Sequence, residues 1–255
     1  MDDPEAILKD VMARESGWRW EDLECTLAEI SGDDIEMNRR MAEEWRAAPR
    51  GTQKEVCDYY ATSKTWLMQT YGGRGALFAL ARRGRHEVSG WSRFFRGMLP
   101  PEGAEILDYG GGFLKDTWFF PLHGVKVVLA EVEGPVTRIV RAFIERIEEP
   151  DVSVLPVSGD VPTLGVYDGA VCFEVLDHMV DPVGATRRIV SAIRPGGPFA
   201  CSVSFGAPEH APYHIAANIR LADPEVWSAE LQRMGLVPVW RDASSRNFAV
   251  WKKAP

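Results

Sequence analysis

Three glycines in a row follow an acidic residue in the segment 105–116, Glu-Ile-Leu-Asp-Tyr-Gly-Gly-Gly-Phe-Leu-Lys-Asp. The apolar residues before Asp108 predict a buried strand, and those after Asp116 predict a helix that opens at an Asp or Thr cap. Glycines accept positive φ and let a ligand approach the main chain, while a helix start offers free N–H groups. Because the acidic side chain would repel a phosphate, we expect a cationic or hydroxyl-bearing ligand at this glycine turn, residues 110–112.

A second acidic residue, Glu131, ends the next apolar run, residues 125–131. It follows Asp108 at close to the spacing, about 20 residues, at which a ribose-binding acid follows such a turn. A carboxylate there can accept hydrogen bonds from both ribose hydroxyls, whereas the plain alternative is a solvated acid at a strand end. A nicotinamide-type G-x-G-x-x-G turn would need glycine at position 115, where lysine stands, so a dehydrogenase is disfavoured.

The elements that must position these residues alternate between strands and helices from residue 105 onward. We predict strands at 105–108, 125–131, 152–157, 168–174, 198–205, 236–241 and 247–252, and helices at 116–122, 135–147, 182–193 and 223–234. Strands separated by helices indicate parallel βαβ units, and the short link between the last two strands indicates a hairpin with one antiparallel edge strand. Residues 1–100 have helical patterns without strands. The predicted domains are therefore an N-terminal helical lid, 1–100, and a Rossmann-like domain, 101–255.

Four motifs in this order resemble those of class I S-adenosylmethionine-dependent methyltransferases of the small-molecule type. They are Asp108-x-Gly110-x-Gly112, Tyr167-Asp168, Glu174-Val-Leu-Asp-His178 and Pro195-Gly-Gly197, and together they span about residues 105–205. Asp177 replaces the second glutamate of the family's fourth-strand motif. Leu114 stands where the family has a third glycine, and we expect it to bulk the loop near the cofactor.

The resemblance implies an α/β class I methyltransferase fold, Rossmann-like, with a seven-stranded, mostly parallel sheet, one antiparallel edge strand and an N-terminal helical lid. It also implies S-adenosylmethionine as cofactor and methyl transfer to a small molecule, such as a natural-product or amino-acid-like acceptor. The cofactor contacts that it implies are Asp108, Gly110, Gly111, Gly112, Glu131, Val132, Gly159, Asp160, Phe173, Glu174, Val175 and Tyr60. In this family the Gly-Asp pair after the third strand lies beside the adenine.

An aromatic face on the predicted lid is our candidate wall for the acceptor pocket. We assign substrate contacts to Tyr59, Trp66 and Tyr71, because a lid over the strand ends would exclude water from the reacting atoms. Aromatic rings near a sulfonium could add cation–π attraction. The plain alternative is that these rings are ordinary core.

Histidine is the side chain best suited to take a proton from an oxygen or nitrogen acceptor near neutral pH. His178 closes the predicted fourth strand and His214 follows the fifth, so both should face the crevice at the strand ends. We therefore predict His214, Tyr213 and His178 as catalytic residues, with His214 favoured as the base. His210 and His214 have His-x-x-x-His spacing, but Pro212 would break the helix that such a metal pair needs, so no metal site is predicted.

The composition of the chain restricts the classes of partner that the protein is expected to bind. A net charge of −8 argues against nucleic acid and anionic membranes, and a hydrophobic share of 45% predicts a globular core. The N-terminus lacks the features of a signal peptide, and no stretch approaches the roughly 18 apolar residues of a membrane span. The four cysteines form no Cys-x-x-Cys pair. We expect a cytoplasmic protein with a small-molecule substrate, no nucleic acid and no membrane, and we leave a homodimer open.

Two alternatives remain at this stage. The same cofactor could support intramolecular cyclisation, lyase chemistry or aminocarboxypropyl transfer, each of which would release methylthioadenosine instead of S-adenosylhomocysteine. The chain could also be a non-catalytic binding partner, and failure to bind the cofactor would indicate this.

Overall fold

A seven-stranded sheet forms the centre of the structure, a computed structural model that describes residues 4–16, 34–63, 90–159, 161–205, 214–241 and 248–255. The strands are β1 (Glu105–Tyr109), β2 (Lys126–Val132), β3 (Val152–Val157), β4 (Gly169–Phe173), β5 (Pro198–Ser202), β6 (Leu236–Arg241) and β7 (Phe248–Lys253). Their order across the sheet is β3-β2-β1-β4-β5-β7-β6. Since the order reverses between β1 and β4, a crevice is expected at the carboxyl ends of these strands.

The pairing of the strands confirms the predicted fold class. Strands β1 to β5 pair in parallel, and β7 pairs antiparallel with both β5 and β6. The antiparallel strand therefore lies one position in from the edge, which β6 forms. This placement follows from the hairpin: β7 returns beside β5 and leaves β6 outermost.

Seven α-helices accompany the sheet in the described part of the chain. They are α1 (Pro4–Ser16), α2 (Asp34–Ala47), α3 (Gln53–Thr62), α4 (Gly90–Met98), α5 (Pro135–Arg146), α6 (Pro182–Ser191) and α7 (Pro224–Arg233). Local sequence sets their starts: Asp181 and Asp223 cap α6 and α7, and Thr52 and Glu55 form a capping box on α3. No helix among these residues is long and apolar enough to cross a bilayer.

The helix predicted at 116–122 is wrong. Consecutive turns cover residues 112–120, followed by a short 3₁₀ helix at Pro121–His123. Pro121 offers no N–H with which to continue an α-helix, and Gly124 ends the segment at φ 67°. The apolar spacing that suggested a helix instead serves the core, because Phe113, Trp118 and Phe120 are buried.

Apolar side chains alternate between the two faces of the sheet and divide the core into two layers. On one face, Ile106 packs in the same cluster as buried residues of α1, α4 and α5. On the other, Leu107 belongs to a cluster with α6 and α7. A third, smaller cluster around Trp45 and Tyr59 joins α2 and α3 to the loops after β4 and β5. Within the predicted lid region, the described part that reaches the strand ends is therefore 34–63, whereas α1 and α4 pack on the face of the sheet.

Candidate active site

A cavity of about 310 Å³ opens at the carboxyl ends of β1, β2 and β4. Its wall consists of the glycine turn, the ends of β2 and β3, the loop after β4 and one face of α3. Six ionisable side chains of the wall lie near the glycine turn or follow the strand ends: Tyr109, Lys115, Asp116, Glu131, Glu174 and His178. The cavity therefore lies where the sheet order reverses, at the place expected for a ligand in such a fold.

The glycine turn is closely fitted, and side chains are excluded from it. Gly110 adopts φ +75°, and a Cβ there would lie 2.3 Å from Cγ2 of Val175. A Cβ on Gly111 would lie 2.0 Å from Oδ2 of Asp108. Gly112 also adopts positive φ, 55°. The turn thus presents bare backbone to the cavity.

Asp108 supports this turn from behind instead of facing the cavity. It is 3% exposed, does not line the cavity and accepts a hydrogen bond from the Thr117 hydroxyl. Burial raises the pKa of this carboxyl to about 7, against the lowering effect of the Thr117 hydrogen bond. The predicted direct contact with a ligand is therefore corrected: Asp108 lies behind the glycine turn and supports it, and it does not face the cavity.

Glu131 ends β2 beside the turn with its carboxylate held in place. Oε2 accepts a hydrogen bond of 2.8 Å from the Gly112 N–H, and Oε1 accepts one of 2.8 Å from the Val132 N–H. Burial raises the pKa of Glu131, and these two backbone bonds oppose the shift. Since each carboxylate oxygen has two acceptor positions, one on each oxygen remains for a ligand.

Leu114 does not bulk the loop on the ligand side, contrary to the expectation from sequence. It has the positive φ, 59°, that a glycine would favour, yet its side chain is fully buried in the core beside Phe113 and Trp118. It does not line the cavity. The backbone path of the turn is kept with leucine in place of glycine, because burial of the side chain offsets the strain of the left-handed conformation.

Helix α3 closes the cavity opposite the glycine turn. Gln53, Val56, Cys57 and Tyr60 line it. Hydrogen bonds join the helix to two loops. Gln53 Oε1 accepts one of 3.0 Å from the Val180 N–H after β4, and the Cys57 thiol donates to the Gly159 carbonyl after β3 at 3.6 Å. Tyr60, predicted as a cofactor contact, thus lies on the wall.

A polar cluster lies where α3 meets the loop after β4. The Tyr60 hydroxyl is 2.7 Å from Nδ1 of His178, which also lines the cavity. Behind His178 lies Asp177, 1% exposed, whose Oδ2 is 3.9 Å from Nε2 of His178 and 3.0 Å from Nε2 of His214. Burial raises the pKa of Asp177, but the two imidazoles outweigh it, so the net shift is downward. A possible metal-ligand atom on each of Asp177, His178 and His214 lies within 4.8 Å of the other two, close enough for the three side chains to share a metal ion.

This cluster brings the two predicted histidines together but gives them different positions. Their rings lie 5.1 Å apart. Both side chains are buried, but His178 lines the cavity and His214 does not. The preference for His214 as the base is therefore corrected, because His178 is the imidazole that a ligand could reach.

The remaining predicted residues divide into three groups. Val132, Glu174 and Val175 line the cavity as expected for cofactor contacts. Three others do not line it: Phe173 packs on Trp91, Tyr59 packs on Trp45, and Gly159 lies under Lys54. Asp160, Trp66, Tyr71 and Tyr213 lie outside the described residues. Tyr59 is thus core instead of pocket wall, the plain alternative for an aromatic face.

Sequence reasoning missed several wall residues that carried a readable signal. The missed residues are Gln53, Val56 and Cys57, which with the predicted Tyr60 are spaced i, i+3, i+4, i+7, one face of a helix. Asp177 was noticed as a substitution in a motif, but not as a partner of both histidines. Its role needed the fold, because residues 177 and 214 are distant in the chain.

Comparisons with known proteins agree with this architecture. No protein-family model matches the sequence. A segment of 103 residues is 29% identical to a ubiquinone biosynthesis O-methyltransferase of Xanthomonas axonopodis pv. citri (strain 306); it covers 39% of this chain and 42% of that protein. The chain spans less than half the length of the curated relatives it matches.

Two solved structures share the fold at low sequence identity. The first is a 1,6-didemethyltoxoflavin-N1-methyltransferase of Burkholderia thailandensis, solved with 1,6-didemethyltoxoflavin and S-adenosylhomocysteine, with a TM-score of 0.53, 21% identity and coverage of 82% of this chain and 93% of that one. The second is a SAM-dependent methyltransferase of Aquifex aeolicus, with a TM-score of 0.50, 14% identity and coverage of 66% and 92%. At these identities the likeness concerns the fold. By strand order and by its resemblance to the curated relatives, the chain has the class I S-adenosylmethionine-dependent methyltransferase fold.

Proposed function

We propose that this protein is an S-adenosylmethionine-dependent methyltransferase that modifies a small molecule. The observation that carries the proposal is the pairing of Glu131 with the glycine turn: the Gly112 N–H holds a carboxylate whose free acceptor positions can take two ribose hydroxyls. Bare backbone at Gly110 and Gly111 leaves room for the ligand beside that carboxylate.

The donor set of the cavity fits the cofactor. A sulfonium is cationic, so the nearby acidic groups Asp116, Glu131 and Glu174 suit it better than they would suit a phosphate. When bound, S-adenosylmethionine supplies a methyl group already activated by the sulfonium. The protein then has to bind, orient and exclude water.

We assign the binding place of the methyl acceptor to the part of the cavity lined by Tyr60 and His178. Tyr60 is a phenol and His178 an imidazole on the cavity wall, and both can exchange a proton with an acceptor. Helix α3 covers this end and would keep water from the reacting atoms. A cavity of about 310 Å³ that is bounded by α3 suits a small-molecule acceptor.

Cofactor binding tests the proposal directly. Glu131→Gln should weaken S-adenosylhomocysteine binding in calorimetry by about tenfold or more, because a hydrogen bond to a charged group contributes roughly 1.5–3 kcal/mol. The exposed acid Glu145 on α5 offers a matched control, and Glu145→Gln should bind as the parent does.

Two outcomes would contradict the proposal. Equal affinity of the parent and Glu131→Gln would show that the carboxylate does not hold the ribose. Release of methylthioadenosine from S-adenosylmethionine without any acceptor would show cyclisation or aminocarboxypropyl chemistry in place of methyl transfer.

A further inference from the structure

We propose that Tyr60 takes the proton of the acceptor and passes its own proton to His178, with Asp177 holding the imidazolium that results. This proton relay rests on the proposed methyl transfer and specifies its acceptor: a small molecule with an ionisable O–H group. Tyr60 would be the catalytic residue, because it faces the substrate, and Asp177 a positioning residue that acts through His178.

The contact between Tyr60 and His178 connects two separate elements at the cavity wall. The Tyr60 hydroxyl lies 2.7 Å from Nδ1 of His178, a short hydrogen bond. The two rings are nearly perpendicular, at 85°, so they meet through their polar atoms instead of by stacking. Both side chains line the cavity, so a proton received at Tyr60 has a direct route to His178.

The direction of the relay follows from the buried carboxylate on the far side of His178. Asp177 Oδ2 lies 3.9 Å from Nε2 of that ring, which favours the neutral tautomer with its proton on Nε2. Nδ1 is then left as an acceptor, and the Tyr60 hydroxyl must donate to it.

The burial of Asp177 is understandable if its carboxylate faces a positive charge, because an isolated buried charge is unfavourable. Asp177 is 1% exposed, and its closest partner is His214, whose Nε2 lies 3.0 Å from Oδ2. A buried carboxylate needs partners of opposite charge, and the imidazoles of His178 and His214 are the groups beside it that can take up a proton. The carboxylate therefore stabilises an imidazolium at His178, and His214 helps to fix its position.

A phenol alone would be a poor base for this reaction. The oxygen of a neutral phenol is a very weak base, so Tyr60 can accept a proton only while it gives up its own, whereas histidine holds a proton with an ordinary pKa near 6.5. Transfer to His178 places the proton on a group suited to neutral pH. The other titratable groups on the cavity wall are Cys57, Tyr109, Lys115, Asp116, Glu131 and Glu174.

The step balances in atoms and charge. The acceptor oxygen forms a bond to the methyl carbon as the carbon–sulfur bond breaks, and that electron pair stays on sulfur. The acceptor proton moves to the Tyr60 oxygen while the proton of Tyr60 moves to Nδ1 of His178. One positive charge is lost at sulfur and one appears on the imidazole, which returns its proton to water after product leaves.

Nitrogen NMR of ¹⁵N-histidine-labelled protein tests the relay without a known acceptor. Signals of His178 and His214 are assigned with His178→Gln and His214→Gln. At high pH, His178 should carry its proton on Nε2, and Tyr60→Phe should shift the Nδ1 signal because it removes a hydrogen bond. Asp177→Asn should lower the pKa of His178 by about one unit or more, since an opposite charge has been removed. His123→Gln, in an exposed residue, is the matched control.

The outcomes separate the relay from the proposed function. A His178 proton on Nδ1, or an Nδ1 signal unchanged in Tyr60→Phe, would overturn the relay even where S-adenosylhomocysteine binds. A stoichiometric metal ion held by His178 and Asp177 in the purified protein would overturn it too, because Nε2 would then be a ligand. Failure of the parent to bind S-adenosylhomocysteine would instead overturn the proposed function, and the tautomer would still be read.

Discussion

At the scale of single residues, the buried acids around the cavity play different roles according to what surrounds them. Glu131 is held by two backbone N–H groups and keeps acceptor positions free. Asp108 is enclosed behind Gly111 and bonded to a hydroxyl. Asp177 lies between two imidazoles. Burial raises the pKa of each, and the neighbours decide the net direction.

Asp108 should make the stability of the protein depend on pH. Its pKa rises from 3.8 to about 7 on folding, so the folded state binds the proton more tightly than the unfolded state. The resulting stabilisation is complete below about pH 4 and is lost as the pH rises to about 7. We therefore expect the free energy of unfolding of the parent, relative to Asp108→Asn, to fall between these pH values.

Urea unfolding of both proteins at several pH values across this window measures the effect. The exposed variant Glu145→Gln should follow the pH dependence of the parent. If the free energies of unfolding of the parent and Asp108→Asn changed in parallel with pH, Asp108 would be ionised in the folded state throughout this range.

At the scale of elements, α3 decides whether the cavity is closed. It packs on the start of α5 as well as on the strand ends: a Cβ on Gly134 would lie 3.2 Å from Cα of Ala61. Gly134 has extended backbone, φ −177°, which any residue can adopt, so its small size serves the approach of α3. The position of α3 thus depends on one residue outside the helix.

Enlarging this residue should displace α3. We expect Gly134→Val to increase protease cleavage within residues 34–63 and to weaken S-adenosylhomocysteine binding several-fold, because the added carbons meet backbone that cannot rotate away. Gly97→Val on α4 is the control, since a Cβ there meets nothing within 4 Å. Unchanged cleavage and affinity in Gly134→Val would show that α3 is not held at this contact.

At the scale of the whole molecule, the N-terminal helices do not act as one unit. Buried Leu8 and Met12 of α1 belong to the same core as α5 and the sheet. Residues Glu15 and Arg138 of these two helices also lie at ion-pair distance, 4.0 Å. Within the predicted lid region, α1 is thus a structural part of the sheet domain, whereas α3 lines the cavity and α2 packs on α3.

Truncating a buried side chain of α1 tests whether this helix belongs to the core of the sheet domain. Met12 is fully buried, so Met12→Ala should lower the free energy of unfolding by about 2–5 kcal/mol. Affinity for S-adenosylhomocysteine should stay within a few-fold of the parent, because α1 does not line the cavity. Arg14→Ala, on the exposed side of α1, should leave stability nearly unchanged. A loss below about 0.5 kcal/mol for Met12→Ala would place α1 outside the core.

The sequence by itself determined the fold class and much of the cavity wall. Alternating strands and helices predicted the parallel order, and short motifs placed Gly110, Glu131 and Val175 at strand ends. These features are local: a strand end, a turn without side chains and an acid at a fixed spacing are read along the chain. For the same reason the face of α3 was readable from its helical spacing.

The tertiary structure decided which side chains face the cavity. Three residues of types common in binding sites pack into the interior: Asp108, Phe173 and Tyr59. The side chain of Leu114 likewise lies in the core. The meeting of Tyr60, His178, Asp177 and His214 joins three distant segments. Side-chain direction at a strand end depends on what packs against both faces, and that is a property of the assembled sheet and its helices.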